Sequence, residues 1–452
     1  MKIVVMGCGK VGHKLVEQLS QEGHDVVAID QDAEALESLA NNEDVLCLEG
    51  NAISYEVQTE AGVPEADLVI ACTDGDELNM LCCLLAKKRG AARTVARVRK
   101  PEYYEQLPYI QAEMGLSFAI NPEWASADAI SRVLIFPAAN SIELFANGRV
   151  ELIGFPLEEG NPLVGRSLTE IGRRFSFQVL VCAVQRKKDV FIPGGSDVLE
   201  VGDKIYIVSS HEDMQTFFKE IDRFRSSVRN VMIAGGGKIS YYLAKRLLEQ
   251  GMRVKIIEQN PTRCRELCES LPKADVICGD GSNQDLLQEE GIEGVDAFVA
   301  MTGLDEINAI LSLYAQTQNV SKVVTKVTQL PFTDMLENIG IETIISPKEI
   351  TANQILRYVR AVSASAEDSS VESLCRLIGG RLEALEFSVE QETSFTGIPL
   401  KDLSLQPGFL IAYIVRDRKR IVPGGNDTIE VHDRVLLVTT HPHVKSLHEM
   451  LV

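Results

Sequence analysis

An internal repeat constrains the fold of this chain more than any other feature. The first residues, MKIVVMGCGKVGHKL, are echoed past the midpoint by VMIAGGGKISYYL. Gly7 corresponds to Gly235 and Gly50 to Gly279, so the two halves align at a nearly constant shift. The 452 residues therefore contain two copies of one folding unit.

The repeat continues to the end of each half. LVIACTDGDELNMLCCLLAKKRG at 68–90 aligns with AFVAMTGLDEINAILSLYAQTQN at 297–319. IPGGSDVLEVGDKIYIVSSHEDMQTF at 192–217 aligns with VPGGNDTIEVHDRVLLVTTHPHVKSL at 422–447. Each half is thus a compound unit, in which a βα domain precedes a smaller α+β module.

Short apolar, β-branched runs alternate with amphipathic helical segments in each βα domain. This alternation predicts a parallel sheet with helices on both faces, and hence the α/β fold class with two tandem Rossmann-like domains. We expect six segments along the chain. They are a first Rossmann-like lobe at 1–122, a crossover helix at 123–138, a small α+β module at 139–220, a second Rossmann-like lobe at 228–346, a crossover helix at 347–364 and a second module at 375–452.

The two crossover helices carry apolar residues at helical spacing after a proline in the first turn. The segments are PEWASADAISRVLIF at 122–136 and PKEITANQILRYVRAV at 347–362. The apolar stripe of the second includes Ile350, Ala352, Ile355, Leu356 and Val359. Two interpretations stay open: each stripe packs on its own sheet, or it is buried against a sister chain.

The first glycine-rich turn predicts a nucleotide site. Gly7, Gly9 and Gly12 follow a strand and open a helix, which is the context that the dinucleotide fingerprint requires. Gly7 permits the tight turn, Gly9 lets a pyrophosphate approach the backbone, and Gly12 lets the helix pack on the strand. The phosphates would bind the free N–H groups at the helix N-terminus, contributed by Cys8, Lys10 and Val11 as well as the glycines.

Asp30 ends the second strand, where a carboxylate can accept hydrogen bonds from both ribose hydroxyls of an adenosine. A carboxylate there would repel a 2′-phosphate, so the sequence favours NAD, ATP or ADP over NADP. The alternative is that the glycine-rich turn serves only tight packing of the helix on the strand.

The second turn departs from the first at its third glycine. Gly235, Gly236 and Gly237 are followed by Lys238 and Ile239, and then by Ser240 where the first copy has Gly12. Serine is small, so the helix can still pack on the strand, slightly further out. Glu258 replaces Asp30 and can still bind a ribose.

Other polar residues are predicted at the same carboxyl edge of each sheet, where such sheets bind ligands. Lys10 and Lys238 follow the second glycine and would lie near phosphates, unless they are only solvated helix starts. Thr73 and Asp74 would line the adenosine side. The remaining residues at this edge are Arg97 in the first half and Thr302 and Lys326 in the second, with Gly303 in place of Asp74.

Signs of catalysis are missing from the sequence. A dehydrogenase needs an acid or base and a substrate anchor beyond the dinucleotide fold, and we find none. Tyr241 and Lys245 resemble the proton-relay pair of short-chain reductases, but they lie on the first helix after the turn. We therefore predict no catalytic residue, and binding that shifts a conformation is the simplest use of the nucleotide.

The composition excludes several partners. Lys and Arg number 45 against 65 Asp and Glu, a formal charge of −20, which disfavours broad contact with nucleic acid or anionic lipid. Most of the ten cysteines lie in apolar runs and are expected to be small buried hydrophobes in a reducing compartment. Cys264 and Cys268 lack a second pair or a nearby histidine, so we predict no metal site. No signal pattern or membrane span is evident, so a cytosolic location is expected.

These motifs resemble the RCK or KTN family, the domains that regulate potassium conductance in prokaryotic channels and transporters. The features that carry the resemblance are GCGKVG at 7–12, Asp30, TDGDELN at 73–79, ARVRKPEY at 96–103 and the paired PGG-(S/N)-D modules. The resemblance covers essentially the whole chain.

The resemblance implies binding of NAD(H) and of ATP or ADP, and association with a Trk-type potassium-translocating membrane subunit. It also implies a ring of such domains, which for eight domains and two per chain is a homotetramer, held on the cytoplasmic side of the inner membrane by its partner. The nucleotide contacts it implies fall on the first turn, Asp30, Asn51, Thr73, Asp74 and Arg97. In the second half they fall on the Gly235 turn, Glu258, Asp280, Thr302 and Lys326.

The leading hypothesis is a non-enzymatic gating subunit whose nucleotide changes the angle between paired lobes. Two alternatives remain: an NAD-dependent oxidoreductase with an unknown small substrate, and a scaffold with a purely structural nucleotide. In the small modules Asp197, Glu200 and Asp203 recur as Asp427, Glu430 and Asp433. We interpret these as solvated turn acids, although a bound ion or metabolite is an open alternative.

Overall fold

The first lobe alternates strands and helices. The structure is a computed structural model, which describes all residues except 43, 136–138, 147–148, 175–178, 222–227, 329–334, 337–338, 342, 364–368, 418, 443, 445 and 452. The strands of the first lobe are β1 (Lys2–Met6), β2 (Asp25–Asp30), β3 (Leu46–Glu49), β4 (Leu68–Ala71), β5 (Arg93–Arg97) and β6 (Phe118–Ile120). Its helices are α1 (Lys10–Gln21), α2 (Ala33–Asn42), α3 (Tyr55–Glu60), α4 (Asp76–Arg89), α5 (Pro101–Tyr104) and α6 (Leu107–Ile110).

The six strands form one parallel sheet in the order β3-β2-β1-β4-β5-β6. All four residues of β4 are buried, as expected of a strand covered by helices on both faces. The strand order reverses between β1 and β4, so the carboxyl ends of these two strands border the crevice where open α/β sheets bind ligands.

The first module follows the first lobe through the crossover helix. Its elements are α7 (Pro122–Ile135), β7 (Ser141–Phe145), β8 (Val150–Pro156), α8 (Leu168–Arg174), β9 (Leu180–Arg186), β10 (Asp189–Phe191), β11 (Lys204–Ser209) and α9 (His211–Glu220). Its strands form an antiparallel sheet in the order β10-β9-β11-β8-β7. Residues 136–138, the end of the expected crossover helix at 123–138, lie outside the described residues.

The second lobe repeats the topology of the first. Its elements are β12 (Asn230–Ala234), α10 (Lys238–Glu249), β13 (Arg253–Glu258), α11 (Pro261–Ser270), β14 (Asp275–Cys278), α12 (Gln284–Glu289), β15 (Ala297–Ala300), α13 (Asp305–Thr317), β16 (Lys322–Lys326), β17 (Ile344–Ile345) and the crossover helix α14 (Pro347–Ser363). The parallel order is β14-β13-β12-β15-β16-β17.

The second module is a five-stranded antiparallel sheet. Its strands are β18 (Ser369–Leu377), β19 (Leu382–Val389), β20 (Phe409–Arg416), β21 (Lys419–Ile421) and β22 (Arg434–Thr439), in the order β18-β19-β22-β20-β21. The predicted fold class, two tandem Rossmann-like domains each followed by a small module, is therefore confirmed.

The chain divides into two compact units, and like parts of the two halves share a unit. The first unit contains both lobes, Met1–Ser131 and Arg229–Leu356, and the second contains both modules, Arg132–Val228 and Arg357–Val452. In the second unit, both sheets contribute to one core. That core includes Phe145, Leu152, Cys182, Tyr206, Cys375, Ala384, Ala412, Tyr413 and Val438.

Polar contacts join α7 to α10 within the first unit. The Asn121 amide, just before α7, donates to the Tyr242 hydroxyl at 2.9 Å, and Asp128 forms an ion pair with Arg246. In α14 the stripe residues Ala352, Ile355, Leu356 and Val359 are fully buried by this chain alone. Four of the five stripe residues of α14 are therefore covered within this chain and Ile350 is half-buried, while α7 contacts the tandem copy in the same polypeptide.

Among the described residues, no helix combines the length and the apolar character that a membrane crossing requires.

Candidate functional site

Packing alone requires two of the three glycines in the first turn. Gly7 has a φ of +94°, and a Cβ there would lie 2.6 Å from the backbone nitrogen of Thr73, beyond the end of β4. A Cβ on Gly12 would lie 1.9 Å from the carbonyl oxygen of Gly7. These two positions bring β1, α1 and the end of β4 into close contact.

Gly9 is different, because the fold does not require a glycine there. Its φ of −62° and ψ of −169° are accessible to any residue. A Cβ at this position would meet no atom within 4 Å. The space beside Gly9 is therefore open at the first turn of α1, and a side chain would fill it.

The N-terminus of α1 is not compensated by the protein. Gly9 is its N-cap, no side chain caps it, and its first turn has no acidic residue. Helices α11 and α12 of the same chain are each capped by an asparagine, Asn260 and Asn283. The backbone N–H groups of Lys10, the half-buried Val11 and Gly12 thus form the positive end of a helix dipole beside open space.

Asp30 lies against this turn. One carboxylate oxygen accepts a hydrogen bond from the backbone N–H of Cys8 at 2.5 Å, and the other accepts from that of Asp32 at 3.0 Å. A carboxylate has about four acceptor positions, so it retains capacity for a diol. The carbonyl of Asp30 accepts from Gly50, which precedes the exposed Asn51. Asn51 itself accepts from the backbone N–H of Ile53 at 3.1 Å.

The far side of the crevice is organised by Asn79, which sequence reasoning did not place in the site. Its side-chain oxygen accepts from the backbone N–H and the hydroxyl of Thr73, both at 2.7 Å. Its amide nitrogen donates to the carbonyls of Thr73 and Arg97, at 3.1 and 2.9 Å. Asn79 is fully buried. The available signal was the match of Asn79 to Asn308 in the repeat.

Arg97 is the last residue of β5 and is 8% exposed. Its guanidinium donates to the carbonyl of Thr73 at 2.6 Å and lies 3.7 Å from the fully exposed carboxylate of Asp74. Its buried Nε has no hydrogen-bond partner among the residues that the structure describes. The structure therefore brings Thr73, Asp74 and Arg97 together at the predicted edge.

The second turn reproduces this arrangement. Gly235 has a φ of +104°, and a Cβ on the N-cap Gly237, which has a φ of −66°, would again meet nothing within 4 Å. Helix α10 also lacks a side-chain cap and a first-turn acid. Glu258 accepts from the backbone N–H groups of Gly236 and Asn260, both at 2.7 Å. Lys238 and Ile239, both half-buried, begin the helix.

The remaining residues of the second site follow the first as well. Asn308 accepts from the N–H and the hydroxyl of Thr302 at 2.7 Å, and the Lys326 ammonium donates to the carbonyl of Thr302 at 2.6 Å. Asp280 accepts from the N–H and hydroxyl of Ser282, and these bonds lower its pKa. The second lobe thus has the same scaffold, with Lys326 in place of Arg97.

Two differences distinguish the copies. The Ser240 hydroxyl donates to the carbonyl of Gly235 at 2.5 Å, so the serine fits where Gly12 leaves no room for a Cβ. Arg263 on α11 donates to the carbonyl of Gly236 at 2.8 Å, whereas the corresponding stretch after Asp30 contains Asp32 and Glu34. The ribose side of the second turn is therefore less acidic than that of the first.

Charges from each lobe act on the edge of the other. Burial lowers the pKa of Lys326, the negative charge of Asp305 opposes this, and the positive charge of Lys10 in the first turn adds a smaller lowering. Burial raises the pKa of Glu123 on α7, against the attraction of Arg99, Lys238 and Arg97. The lysine of each turn thus lies within electrostatic reach of the opposite lobe.

The residues that resembled a proton relay are engaged in packing. Lys245 forms an ion pair with Glu105 of the first lobe at 2.9 Å, and Tyr241 stacks edge-on against Tyr242 with ring centroids 5.4 Å apart. The hydrogen bond that Lys245 donates to Glu105 raises the pKa of the lysine. The Glu105 carboxylate offsets the positive charge of Lys245, so less of that charge is available to stabilise a tyrosinate beside it.

Two of the acidic residues in the small modules are buried, contrary to expectation. Asp203 is 1% exposed and makes two hydrogen bonds of 2.8 Å with the guanidinium of Arg186, and the fully buried Asp433 pairs in the same way with Arg416. The interpretation as solvated turn acids was therefore wrong for these two, because the bidentate ion pair compensates their burial. Among the described residues, no cluster of three or more His, Cys, Asp or Glu is arranged to hold a metal.

Most cysteines are buried, but two are exposed. Cys268 and Cys278 are exposed, Cys47 is half-buried, and the other seven are buried. The exposed pair belongs to the second lobe, on α11 and at the end of β14.

The fold and the two turns define a class, a tandem pair of TrkA-N and TrkA-C domains. The TrkA-N domain family matches residues 3–122 and 231–347, and the TrkA-C domain family matches 152–222 and 384–452. The chain is 32% identical to Trk system potassium uptake protein TrkA homolog 1 of Methanosarcina mazei, over 97% of each protein. It is also 32% identical to TrkA of Vibrio alginolyticus, over 97% of this chain and 95% of that protein. The chain belongs to the family of Trk system potassium uptake proteins TrkA.

Solved structures agree in fold. The crystal structure of the GsuK RCK domain has a TM-score of 0.63 at 18% identity and covers 96% of this chain and 91% of that chain. The GsuK channel bound to NAD has a TM-score of 0.63 at 17% identity and covers 99% of this chain and 78% of that chain. The resemblance to the RCK family, inferred from the sequence motifs, is confirmed.

Proposed function

We propose that the chain is a non-enzymatic regulatory subunit that controls potassium uptake by a Trk-type membrane subunit, and that NAD(H), ATP or ADP bound at its two glycine-rich turns sets its state. Membership in a family named for potassium uptake supports the transport role. The relay residues Tyr241 and Lys245 are committed to packing, which favours binding over redox catalysis.

One observation carries the nucleotide proposal. Gly9 and Gly237 are both N-caps of uncapped helices, both have ordinary negative φ values, and both face open space. Neither backbone strain nor packing within the chain accounts for a glycine at these positions. A ligand that approaches the main chain, such as a diphosphate, accounts for both.

The chemistry of the edge agrees with an adenosine ligand. Asp30 and Glu258 lie within hydrogen-bond distance of the turns they face and retain acceptor capacity for ribose hydroxyls. The lysines of the turns and the cations Arg97 and Lys326 supply positive charge for phosphates. The GsuK structures, described as bound to NAD and as bound to ADP, are of a similar fold.

Calorimetric titration of the full chain with NADH, ATP and ADP tests the nucleotide proposal. Gly9→Asp and Gly237→Asp each place a carboxylate in the open space of one turn, and each should weaken binding at that turn by a hundredfold or more, about 3 kcal/mol. Gly172→Asp, at an exposed position on α8 with free space around it, is the matched control. No binding of any of the three nucleotides to the unmutated chain would defeat the proposal.

Control of transport needs its own measurement. Potassium flux through membranes that contain the Trk-type subunit and this chain should depend on added ATP or NADH. Flux with the Gly9→Asp chain should respond less than flux with the Gly172→Asp chain. Equal flux at all nucleotide levels for both chains would rule out gating while leaving nucleotide binding intact.

Self-assembly is supported by exposed apolar residues at equivalent places in the two copies. Leu81 on α4 and Ile310 on α13 occupy the same repeat position and are 41% and 59% exposed. Such paired apolar positions suit a contact with another chain. We expect four chains in a closed ring, and Leu81→Lys with Ile310→Lys should lower the mass measured by light scattering. A monomeric unmutated chain would contradict the ring.

A further inference from the structure

Two thiols flank the carboxylate of the second turn, and we propose that Cys264 and Cys278 form a reversible disulfide that opposes nucleotide binding there. The second half of this statement rests on the function proposed above. The disulfide itself does not, because it forms between two thiols of the ligand-free protein.

The geometry places both thiols beside Glu258. Cys264 lies on α11, is 7% exposed, and has its Sγ 3.1 Å from the carbonyl oxygen of Glu258. Cys278 ends β14 and is the direct partner of Glu258 in the sheet register, so both side chains point to the same face. The same carbonyl oxygen of Glu258 accepts from the backbone N–H of Gly279, the residue after Cys278, at 2.9 Å, so both cysteines lie beside one oxygen atom. This pairing brings a buried and an exposed sulfur together without any change in the sheet.

The two thiols suit different steps of the oxidation. Burial and the neighbouring thiol and carboxylate raise the pKa of Cys264 to about 11, so Cys264 is the slower of the two thiols to react with a peroxide and gives up its proton only as it attacks the sulfenic sulfur. Cys278 is exposed and is the sulfur that a dissolved hydroperoxide reaches first. Its reactive form is the thiolate, as for any cysteine.

The chemistry balances with a hydroperoxide as the oxidant. The Cys278 thiolate attacks one peroxide oxygen, the O–O bond breaks, and the sulfur becomes a sulfenic acid while the second oxygen leaves and takes up a proton. The Cys264 sulfur then attacks the sulfenic sulfur, the S–S bond forms, the S–O bond breaks, and the hydroxide leaves with the Cys264 proton as water. Two thiols lose two electrons, and hydrogen peroxide gains them as it becomes two molecules of water.

The disulfide would compete with a ligand because of what surrounds Glu258. Bonding to Cys278 removes the Cys264 sulfur from the Glu258 carbonyl and ties the first turn of α11 to the end of β14. That turn begins at Asn260, whose backbone N–H holds one oxygen of Glu258. An adenosine ribose on Glu258 would in turn cover Cys278. Oxidation therefore lowers affinity at the second turn, and occupancy slows oxidation, as reciprocal coupling requires.

The first lobe provides an internal contrast. Cys8 lies beside Asp30 and Cys72 lies near Cys8, but the two are only 2% and 3% exposed, and Cys47 is half-buried. Burial and the charge of Asp30 raise the pKa of the Cys8 thiol far above its usual range. The sensitive pair belongs to the second copy alone among the described residues near the two carboxylates.

The test is peptide mapping of the full chain after brief treatment with hydrogen peroxide. The expected product is a peptide pair linked through Cys264 and Cys278 that dithiothreitol releases. Cys278→Ser and Cys264→Ser should each abolish it, and Cys268→Ser, one helical turn away, should retain it. A product linked through Cys268, a link between chains, or sulfonic acid without any disulfide would each overturn the proposal.

Coupling to the nucleotide is measured in the same assay with ADP at ten times its dissociation constant. If only the empty site oxidises, the rate should fall about tenfold. Protection should persist in Gly9→Asp and vanish in Gly237→Asp. Binding of ADP at the second turn without protection would overturn the coupling. If neither ADP, ATP nor NADH bound, the proposed function would be defeated instead, and the disulfide in ligand-free protein would still be tested by its own peptide map.

Discussion

The two glycine-rich turns share a scaffold and differ in what fills it. Each has a left-handed first glycine, an open N-cap glycine and a carboxylate bound to the backbone of the turn. The residues around the two turns differ. The first turn is surrounded by Gly12, buried cysteines and Arg97, and the second by Ser240, exposed cysteines and Lys326. The shared part is what phosphate binding needs, and the divergent part surrounds it.

The comparison separates glycines that the backbone geometry requires from glycines that a ligand would require. Where a Cβ would strike the main chain, as at Gly7 and Gly235, both copies keep glycine. At the third position, the first copy leaves no room and the second has opened enough for a hydroxyl. At Gly9 and Gly237 the protein leaves room for any side chain, and both copies still keep glycine.

The largest effect is expected from transferring serine to the first copy. Gly12→Ser puts a Cβ where the carbonyl oxygen of Gly7 lies 1.9 Å away, so α1 must shift from β1. Overpacking of this kind costs about 3 kcal/mol, and the displaced N-terminus should weaken nucleotide binding at the first turn at least tenfold. Thermal melting and calorimetry of the full chain measure both. If the stability is unchanged, the two turns are more alike than their contacts indicate.

Removal of the buried asparagine tests the far side of the crevice. Asn79→Ala leaves the N–H of Thr73 and the carbonyl of Arg97 without partners, at a cost of about 2 kcal/mol. Asn308→Ala is the matched variant and should cost somewhat less, because its bond to the Thr302 carbonyl is already long at 3.4 Å. Urea unfolding compares the pair, and a larger loss for Asn308→Ala would reverse the comparison.

The reciprocal change in the second copy should be milder. Ser240→Gly removes one hydrogen bond to the Gly235 carbonyl and adds a glycine to the first turn of α10, together about 1 to 2 kcal/mol. Ser240→Ala, which keeps the Cβ, separates the two contributions. Melting temperatures that rise for either variant would show that the serine is tolerated there and does not stabilise the turn.

The smallest effect concerns pH. Burial lowers the pKa of Lys326, so this residue loses its proton at a lower pH than an exposed lysine, whereas an arginine side chain is not deprotonated in proteins. A bound phosphate favours the protonated form, so nucleotide affinity should fall a few-fold as pH rises through the lowered pKa, on the order of 0.5 to 1 kcal/mol. Lys326→Arg should remove this dependence in titrations from pH 7 to 10. If nucleotide affinity fell equally with pH in both proteins, the pH dependence would belong to another group.

The sequence was sufficient to predict the repeat, the parallel sheets, the turns and their carboxylates, because each has a local signature in glycine spacing or in the alternation of strand and helix. The partners of Asn79 were not predictable in this way, because they join α4 to the ends of β4 and β5 through contacts that have no spacing rule. The burial of Asp203 by Arg186 is similar: the acid is visible in the turn, but its arginine comes from a different strand.

The nucleotide contacts proposed for Asp30, Thr73 and Lys326 stay predictions, which the calorimetric titrations test. The alternatives for the crossover helices needed the tertiary structure, since an amphipathic stripe does not reveal what covers it. The hydrogen bond between Asn121 and Tyr242 shows that the start of α7 contacts the second lobe of the same chain. Neither of the two interpretations drawn from the sequence, packing on its own sheet or on a sister chain, included this contact.

The contact between α7 and α10 joins two parts of one polypeptide. In a symmetric dimer of identical chains, every substitution appears in both binding sites, so both sites respond to the same ligand. Here the duplicated halves mutate separately while their association stays independent of protein concentration. One half can keep a conventional pocket for a metabolic cofactor while the other acquires sensitivity to a different stimulus, and a single gene product then integrates the two.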